Sequence, residues 1–181
     1  EFISSNYRMI KIISGNFRGR KLNSLKIDTL RPTQAKVRKS IMDSIRNFDK
    51  KSVLDLFAGI GTLGIEAISR GAERVKFVEW NSRTTKVLEK NLNMFNLLNK
   101  STIVKSDVMK FLNNECQKYD IVFADPPYGE YSFDILCPLV SNVMNNRGIF
   151  CYESGKMETE KKDNIKIKKY GNTQIILWEK K

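Results

Sequence analysis

The four residues Asp125-Pro126-Pro127-Tyr128 follow a short apolar segment that is typical of a buried β-strand. Proline has a fixed φ and no N–H donor, so this turn presents the Asp125 carboxylate and the Pro126 carbonyl as two rigid acceptors. An exocyclic amine on a nucleobase is not nucleophilic, because its lone pair is delocalised into the ring. Two acceptors that receive hydrogen bonds from both N–H groups favour a pyramidal, nucleophilic nitrogen. Tyr128 can stack on the base. These four residues are therefore the predicted catalytic residues for methyl transfer to a nucleobase amine.

A glycine-rich loop follows an apolar strand in the stretch from Val53 to Gly64 and opens a helix. Glycines let a ligand approach the backbone closely, and the start of a helix offers unpaired N–H donors. Gly59, Gly61 and Gly64 satisfy the dinucleotide-binding pattern GxGxxG. Glu79 ends the second strand twenty residues after Gly59, where a carboxylate can accept both hydroxyls of a ribose. A nicotinamide-dependent oxidoreductase is therefore one interpretation of this loop.

Asp55, inside the first strand and just ahead of the loop, favours a different ligand. A carboxylate aimed at the loop is a poor neighbour for a pyrophosphate, but it suits a ligand that carries an ammonium group. S-adenosylmethionine carries an ammonium group, a cationic sulfonium, a ribose and an adenine, and it has no phosphate. We therefore predict S-adenosylmethionine as the cofactor, with Asp55 and the loop backbone at its methionine end and Glu79 at its ribose.

The residues after the second and third strands are candidates for contact with the adenine. Trp80 and Val108 are predicted to flank the ring, and Asp107 to accept a hydrogen bond from its amino group. Asp107 opens a helix, so an ordinary N-cap is the alternative role for it. The predicted cofactor contacts are Asp55, Phe57, Gly59, Gly61, Thr62, Glu79, Trp80, Asp107 and Val108.

The chain has 181 residues and a formal net charge of +12, from 32 Lys and Arg against 20 Asp and Glu. The first fifty residues, here called the basic head, hold 12 basic and 4 acidic residues, so most of the charge lies there. A basic segment on a nearly neutral body indicates a polyanionic partner, most simply nucleic acid, and solubility charge is the alternative. The predicted nucleic-acid contacts are Arg18, Arg20, Lys21, Arg31, Thr33, Lys36 and Arg38.

Composition excludes several classes of enzyme and site. The chain has no histidine, which excludes serine–histidine and cysteine–histidine hydrolases and zinc sites that need imidazole. Its three cysteines form no CxxC pair, so we expect a reduced, cytoplasmic protein with no metal. No apolar segment is long enough to span a membrane. We also expect a monomer, in which residues 1–8 are a leader or a dispensable remnant.

Short apolar segments alternate with helix-length segments from Lys51 onwards, which requires crossover connections and a parallel sheet. We predict an α/β fold with a doubly wound, mostly parallel, seven-stranded Rossmann-like sheet and an antiparallel C-terminal hairpin strand. The predicted domains are an RNA-binding extension over residues 9–50 and a methyltransferase domain over residues 51–181.

The predicted strands of the sheet are Val53–Phe57, Val75–Glu79, Thr102–Lys105, Tyr119–Ala124, Gly148–Tyr152, Ile165–Tyr170 and Thr173–Glu179. The predicted helices between them are Thr62–Arg70, Arg83–Asn96, Asp107–Asn114 and Phe133–Met144. The extension is predicted to form a β-hairpin, from Met9–Ile13 and Arg18–Leu22, and a helix that Thr33 caps. Four basic residues are predicted on the outward face of that helix: Lys36, Arg38, Lys39 and Arg46.

From Met9 onwards the sequence resembles the RsmD-type bacterial 16S ribosomal RNA guanine-N2 methyltransferases. An acid, two prolines and an aromatic residue are the signature of methyltransferases that act on exocyclic amines. The hairpin and the Arg31-Pro32-Thr33 block are the more specific matches. The matching stretches are Ile12–Leu22, Leu30–Thr33, Val37-Arg38, Val53–Ala72, Phe77–Glu79 and Asp125–Tyr128. The resemblance implies methylation of N2 of one guanine in 16S ribosomal RNA, within an assembling small ribosomal subunit.

Three alternatives remain open. An adenine-N6 methyltransferase of DNA or RNA shares the acid-Pro-Pro-aromatic signature, but such enzymes usually carry a separate target-recognition region, for which we find no room. A nicotinamide-dependent oxidoreductase is opposed by Asp55 and by the amine-activating turn. A non-catalytic RNA-binding protein would use the same basic head.

Overall fold

The computed structural model describes residues 10–25, 35–127, 129–155 and 164–181. The helices are α1 (Ala35–Ser44), α2 (Thr62–Ser69), α3 (Ser82–Met94), α4 (Val108–Asn114) and α5 (Phe133–Asn142), with 3₁₀ helices at Gly15–Phe17 and Leu98–Lys100. The strands are β1 (Ser52–Leu56), β2 (Arg74–Val78), β3 (Ser101–Val104), β4 (Tyr119–Ala124), β5 (Met144–Gly155), β6 (Ile165–Tyr170) and β7 (Thr173–Glu179). Within these described ranges, no helix has the length and apolar content needed to cross a membrane.

Seven strands form one sheet in the order β3-β2-β1-β4-β5-β7-β6. The first five strands along the chain are parallel, and β7 lies antiparallel between β5 and β6. The predicted α/β class, the seven strands and the antiparallel C-terminal strand are confirmed. Predicted bounds from β1 onwards differ by at most two residues except in β5, which is longer because its two ends pair with Tyr119 and Thr173.

Two clusters of buried apolar side chains cover the two faces of the sheet. On one face α1, α2 and α3 pack through residues such as Val37, Ile65 and Leu88. On the other face α4 and α5 pack through residues such as Phe111 and Leu136. With both faces covered, the carboxyl ends of the parallel strands form the edge at which open α/β sheets bind ligands.

The N-terminal segment (residues 10–25) packs onto α2 and does not form two regular strands. One isolated bridge joins Lys11 to Lys21, and a 3₁₀ helix occupies the turn. The fully buried Glu66 of α2 accepts hydrogen bonds from the N–H groups of Ile13 (2.8 Å) and of the next residue (2.9 Å). Three backbone hydrogen bonds join the two arms, from the N–H groups of Ile12, Gly19 and Leu22 to the carbonyls of Arg20, Ile12 and Ile10. The predicted hairpin is therefore confirmed, although its arms pair through an isolated bridge and not as two regular strands.

Arg38 is predicted on the outward face of α1, but only 4% of its surface is exposed. Its Nη2 donates a hydrogen bond to the carbonyl of Lys11 at 2.9 Å. Burial lowers the pKa of Arg38, and the nearby charge of Glu66 opposes that change. The N-terminal segment covers this side of α1, so the buried face of the helix is wider than its apolar stripe. The predicted outward position of Arg38 is therefore wrong, and its contact with nucleic acid stays a prediction.

Gly15 reports how tightly the N-terminal segment is docked on α2. Its φ is +79°, and a Cβ there would lie 1.9 Å from the backbone oxygen of Ser69. Gly19 has a similar φ of +81° but nothing within 4 Å of such a Cβ. We expect Gly15→Ala to lower the free energy of unfolding by about 1–3 kcal/mol more than Gly19→Ala, because only the first substitution adds overpacking to the cost of a left-handed backbone. Urea denaturation measures the difference, and equal losses would contradict tight docking.

Candidate active site

Three carboxylate residues lie at the carboxyl ends of neighbouring parallel strands. Asp55 lies near the end of β1, Glu79 follows β2 directly, and Asp125 follows β4 directly. The strand β1 pairs with β2 on one side and with β4 on the other, so the three residues meet at one edge of the sheet. In the part of the chain that the structure describes, no group of three or more acidic, cysteine or histidine side chains could hold a metal ion.

Asp55 is buried, with 2% of its surface exposed, and its Oδ2 accepts a hydrogen bond from the N–H of Gly64 at 2.8 Å. Burial raises the pKa of Asp55 well above its usual range, and the negative charges of Asp125 and Glu79 raise it further, against the opposing effect of the Gly64 hydrogen bond. A buried acid among like charges is stabilised by a nearby cation. The residues present therefore fit the ammonium group of S-adenosylmethionine.

Glu79 is also buried, with 7% of its surface exposed, and its carboxylate binds two backbone groups. Its Oε2 accepts from the N–H of Gly59 at 2.9 Å, and its Oε1 accepts from the N–H of Asn81 at 2.8 Å. The carboxylate thus ties the glycine-rich loop to the start of α3, where Asn81 is the N-cap. Each carboxylate oxygen can accept a second hydrogen bond, so ribose hydroxyls fit here without loss of these contacts.

The glycine-rich loop is held in a shape that brings α2 close to the sheet. Gly61 is the N-cap of α2 and Thr62 is its first residue. A Cβ on Gly64 would lie 2.2 Å from the ring of Phe77 in β2, so the close approach requires glycine. Phe57 has a φ of +56°, a left-handed conformation that costs roughly 1–2 kcal/mol. Such strain persists only where the surroundings hold it, and it clusters at ligand sites.

Asp107 links the start of α4 to the loop that follows β4. Its Oδ1 accepts from the N–H of Lys110 at 2.9 Å, which confirms the N-cap role. Its Oδ2 accepts from the hydroxyl of Tyr131 at 3.3 Å, and the Tyr131 ring centroid lies 4.9 Å from that of Phe57. The contact of Asp107 with an adenine stays a prediction.

The two residues predicted to flank the adenine differ in exposure. Trp80 exposes 67% of its surface directly after Glu79, whereas Val108 exposes 4% and belongs to the core under α4. The exposed indole of Trp80 is therefore free to stack on a planar ligand. Val108 can contact such a ligand only from the side of the core.

The turn over residues 125–127 continues β4 at the acidic edge. Pro126 is buried and Pro127 is exposed. The Pro127 carbonyl accepts from the N–H of Glu130 at 3.4 Å, so the chain folds back immediately after the two prolines. Tyr128 lies outside the described residues, and its stacking role stays a prediction.

Two tyrosines that the sequence analysis did not single out lie beside this turn. The hydroxyl of Tyr152 in β5 donates to the carbonyl of Tyr131 at 2.7 Å. Burial raises the pKa of Tyr152 to about 12, and the charges of Asp125 and Asp134 add to this effect. The aromatic composition of residues 128–133 was the available signal for Tyr131. No local signal exists for Tyr152, because its place depends on how β5 aligns with β4.

The predicted nucleic-acid contacts have different surroundings. Those that are exposed are Arg18, Arg20, Lys21 and Lys36. Those that lie outside the described residues are Arg31 and Thr33. Arg20 also serves the fold, because its guanidinium lies 4.2 Å from the ring centroid of Phe95 and donates to the carbonyl of Met94 at 2.9 Å. It anchors the N-terminal segment to α3, so it has less freedom to meet a phosphate than its exposed neighbours.

Comparison with known proteins identifies the family. The family described as conserved hypothetical protein 95 matches residues 10–179. Ribosomal RNA small subunit methyltransferase D of Buchnera aphidicola is 36% identical over 165 residues, which cover 88% of this chain and 83% of that protein. The chain belongs to the RsmD family.

Further relatives agree with this assignment. Ribosomal RNA small subunit methyltransferase D of Escherichia coli K12 is 38% identical over 120 residues, or 66% of this chain and 60% of that protein. The solved structure of yhhF from Escherichia coli, described as a candidate methyltransferase, has a TM-score of 0.84 at 29% identity and covers 96% of this chain and 98% of its own. The resemblance to RsmD-type proteins and the Rossmann-like methyltransferase fold are therefore confirmed.

Asp55→Asn tests the cost of the buried charge. The pKa of Asp55 is raised in the folded protein, so ionisation of this carboxyl destabilises the fold. The destabilisation appears only above the pKa that Asp55 has in the unfolded chain, which is about 4. We therefore expect the cofactor-free variant to be more stable than the wild type near neutral pH. The advantage should shrink as the pH falls toward about 4, which urea denaturation at several pH values measures.

Asp120→Asn is the matched control, because the pKa shift of Asp120 has the opposite sign. Burial opposes its ionisation, but hydrogen bonds from Ser52 and Asn145 hold its pKa below the usual range. Ionised Asp120 therefore stabilises the fold above its unfolded pKa, and this contribution is lost as the pH falls through its folded pKa. Asp120→Asn should destabilise the protein, and an Asp55→Asn variant with the same behaviour would contradict the description of Asp55.

Proposed function

We propose that this protein transfers a methyl group from S-adenosylmethionine to the exocyclic N2 amine of a guanine in 16S ribosomal RNA. The observation that carries the proposal is the position of Asp125-Pro126-Pro127 at the same sheet edge as the buried carboxylates Asp55 and Glu79. One edge thus combines acceptors for an amine with an acidic site for a cationic cofactor.

The acidic half of the site suits the cofactor. S-adenosylmethionine, when bound, supplies an electrophilic methyl group on a cationic sulfonium. Asp55 and the loop backbone bind the methionine end, and Glu79 accepts from the ribose. Trp80 and Val108 flank the adenine, and Asp107 accepts from its amino group. Phe57, Gly59, Gly61 and Thr62 complete this set as the loop that approaches the ligand.

The turn after β4 activates the substrate. The Asp125 carboxylate and the Pro126 carbonyl accept hydrogen bonds from the two N–H groups of the exocyclic amine. These hydrogen bonds direct the lone pair of the nitrogen toward the methyl group. The target base must leave its stack to reach this turn, and Tyr128 stacks on it there. Asp125 also stabilises the positive charge that develops on the nitrogen as the bond forms, because its carboxylate is already fixed in position.

The substrate assignment rests on family membership. Relatives that are 36–38% identical are named ribosomal RNA small subunit methyltransferase D, which supports ribosomal RNA of the small subunit as the substrate. The choice of guanine N2 comes from the resemblance in the hairpin and the Arg31-Pro32-Thr33 block. Exposed basic residues on the N-terminal segment and α1 supply phosphate contacts for such an RNA.

Mass spectrometry of nucleosides tests the whole proposal. The purified protein is incubated with S-adenosylmethionine and small ribosomal subunits from a strain that lacks its gene. We expect N2-methylguanosine to appear at one position of 16S ribosomal RNA. N6-methyladenosine in its place would support the adenine alternative, and RNA binding without transfer would support a non-catalytic protein. Binding of NADH without binding of S-adenosylmethionine would support an oxidoreductase.

Asp125→Ala should retain affinity for S-adenosylmethionine and lose about 10²-fold or more in turnover, the scale for removal of a preorganised polar group. Single-turnover methylation assays and calorimetry measure the two quantities. Glu130→Ala is the control, because Glu130 is an exposed acid in the same loop and should keep wild-type turnover. Comparable turnover in Asp125→Ala would refute amine activation by this carboxylate.

Glu79→Gln should weaken the binding of S-adenosylmethionine by roughly 1–3 kcal/mol, the scale for loss of a charge-assisted hydrogen bond. Glutamine retains one acceptor oxygen for the backbone contacts of Glu79, so it disturbs the loop less than alanine. Glu73→Gln is the control, since Glu73 is exposed just before β2, at the opposite end of that strand. Unchanged affinity by calorimetry would mean that the ribose binds elsewhere.

A further inference from the structure

Tyr131 lies in the segment after β4 and contacts three parts of the candidate active site. Its hydroxyl donates to the Oδ2 of Asp107, the N-cap of α4, at 3.3 Å. Its ring centroid lies 4.9 Å from that of Phe57, which follows β1 directly. Its carbonyl accepts from the hydroxyl of Tyr152 in β5 at 2.7 Å. One residue thus connects the loop after β1 and the start of α4 with the strand that pairs with β4.

These contacts hold Tyr131 in place before any ligand binds. Tyr152 exposes only 2% of its surface, so the residue that holds the Tyr131 carbonyl is itself fixed by the core. The rings of Tyr131 and Phe57 both pack against the apolar cluster beneath α4 and α5. A side chain that is already ordered loses little conformational entropy when a ligand binds beside it. Tyr131 therefore suits a ligand site better than an unattached surface side chain would.

The carboxylate of Asp107 remains accessible to a ligand, because this residue is exposed. Its Oδ1 accepts from the N–H of Lys110 and its Oδ2 from the hydroxyl of Tyr131. Each carboxylate oxygen can accept one further hydrogen bond. Because the two contacts hold the two oxygens separately, they fix the plane of the carboxylate. A carboxylate held in this way is an oriented acceptor for an N–H donor of a ligand.

The Tyr131 hydroxyl stays protonated near neutral pH and is therefore a donor. Burial raises the pKa of Tyr131, and the nearby charges of Asp107 and Glu130 raise it further. Without a ligand, water competes for the exposed carboxylate of Asp107, so the contact adds little to the stability of the fold. A ligand that covers Asp107 displaces this water, and the hydrogen bonds of an oriented acceptor then become stronger.

We propose that Tyr131 is a positioning residue that orients the Asp107 carboxylate toward the adenine amino group of the cofactor. The inference rests on the proposed function, in which S-adenosylmethionine binds at this edge of the sheet. With Phe57, the ring of Tyr131 also forms an apolar wall of the adenosine site. Because the segment that carries Tyr131 begins at the Asp125 turn, it belongs to both the cofactor half and the substrate half of the site.

Tyr131→Phe tests the inference, because it removes the hydroxyl and retains the ring. Calorimetry measures its affinity for S-adenosylhomocysteine and for the 6-deamino analogue, in which hydrogen replaces the adenine amino group. We expect the variant to bind S-adenosylhomocysteine about 3- to 10-fold more weakly than the wild type, the scale for one hydrogen bond. Its affinity for the 6-deamino analogue should stay unchanged, since that ligand has no amino group for Asp107. Urea denaturation should show little change in stability.

Tyr119→Phe is the matched control. The Tyr119 hydroxyl also donates to an acid, Glu115, at 3.1 Å, but Tyr119 begins β4 and so lies at the opposite end of that strand from Asp125. This variant should keep wild-type affinity for both ligands. A double variant tests the route through Asp107. Tyr131→Phe/Asp107→Asn should bind S-adenosylhomocysteine no more weakly than Asp107→Asn alone, because Tyr131 acts through that carboxylate.

Wild-type affinity of Tyr131→Phe for S-adenosylhomocysteine would overturn the inference. Equal losses for the two ligands, or additive losses in the double variant, would also overturn it, because Tyr131 would then shape the site without acting on Asp107. Methylation by the wild type is measured separately. A wild type that does not methylate guanine N2, with the expected loss in Tyr131→Phe, would refute the proposed function and leave the role of Tyr131. Normal methylation without that loss would refute the role of Tyr131 alone.

Discussion

Asp55 is buried at the carboxyl end of the central strand, where its carboxylate meets the N–H of Gly64 and the charges of two other acids. That hydrogen bond joins β1 to α2, and it is possible only because the absence of a Cβ on Gly64 lets α2 lie against Phe77 of β2. Strand, loop and helix are therefore fixed as one unit. Asp55, Glu79 and Asp125 give this edge an excess of negative charge. A cationic ligand there offsets the repulsion and the burial that raise the pKa of Asp55.

Two buried polar side chains attach the N-terminal segment to the elements that shape this loop. Glu66 of α2 accepts from the backbone of the segment at Ile13. Asn91 of α3 accepts from the N–H of Asn23 at 2.8 Å and donates to the carbonyl of Ile60, inside the glycine-rich loop, at 3.0 Å. A single amide thus connects the segment that carries exposed arginines to the loop of the acidic edge. Both side chains are fully buried, so loss of either set of hydrogen bonds would be costly.

Sequence patterns predicted the sheet and the acidic edge because both follow from local regularities. The period of apolar residues and the length of each segment indicate strands and helices. Residues at the carboxyl ends of parallel strands must lie at one edge of the sheet, which brings Asp55, Glu79 and Asp125 together. The failures arise where distant segments meet. Helical spacing predicts that Arg38 faces outward, but the N-terminal segment, which contacts it at Lys11, covers it. Tyr152 joins the site through the alignment of β5 with β4, which no local pattern encodes.

The acids that suit a cationic cofactor are poor neighbours for a polyanion, yet the proposed function requires both ligands at one edge. The structure separates the two kinds of charge by depth. Asp55 and Glu79 expose 2% and 7% of their surfaces, whereas Arg18, Lys21 and Lys36 are exposed. Charges at the surface dominate the potential that an approaching strand meets, because they lie closer to that strand than the buried acids do. Under the proposed function, a bound cation at Asp55 thus lowers the repulsion that the target nucleotide meets, and the two ligands assist each other's binding through electrostatics alone.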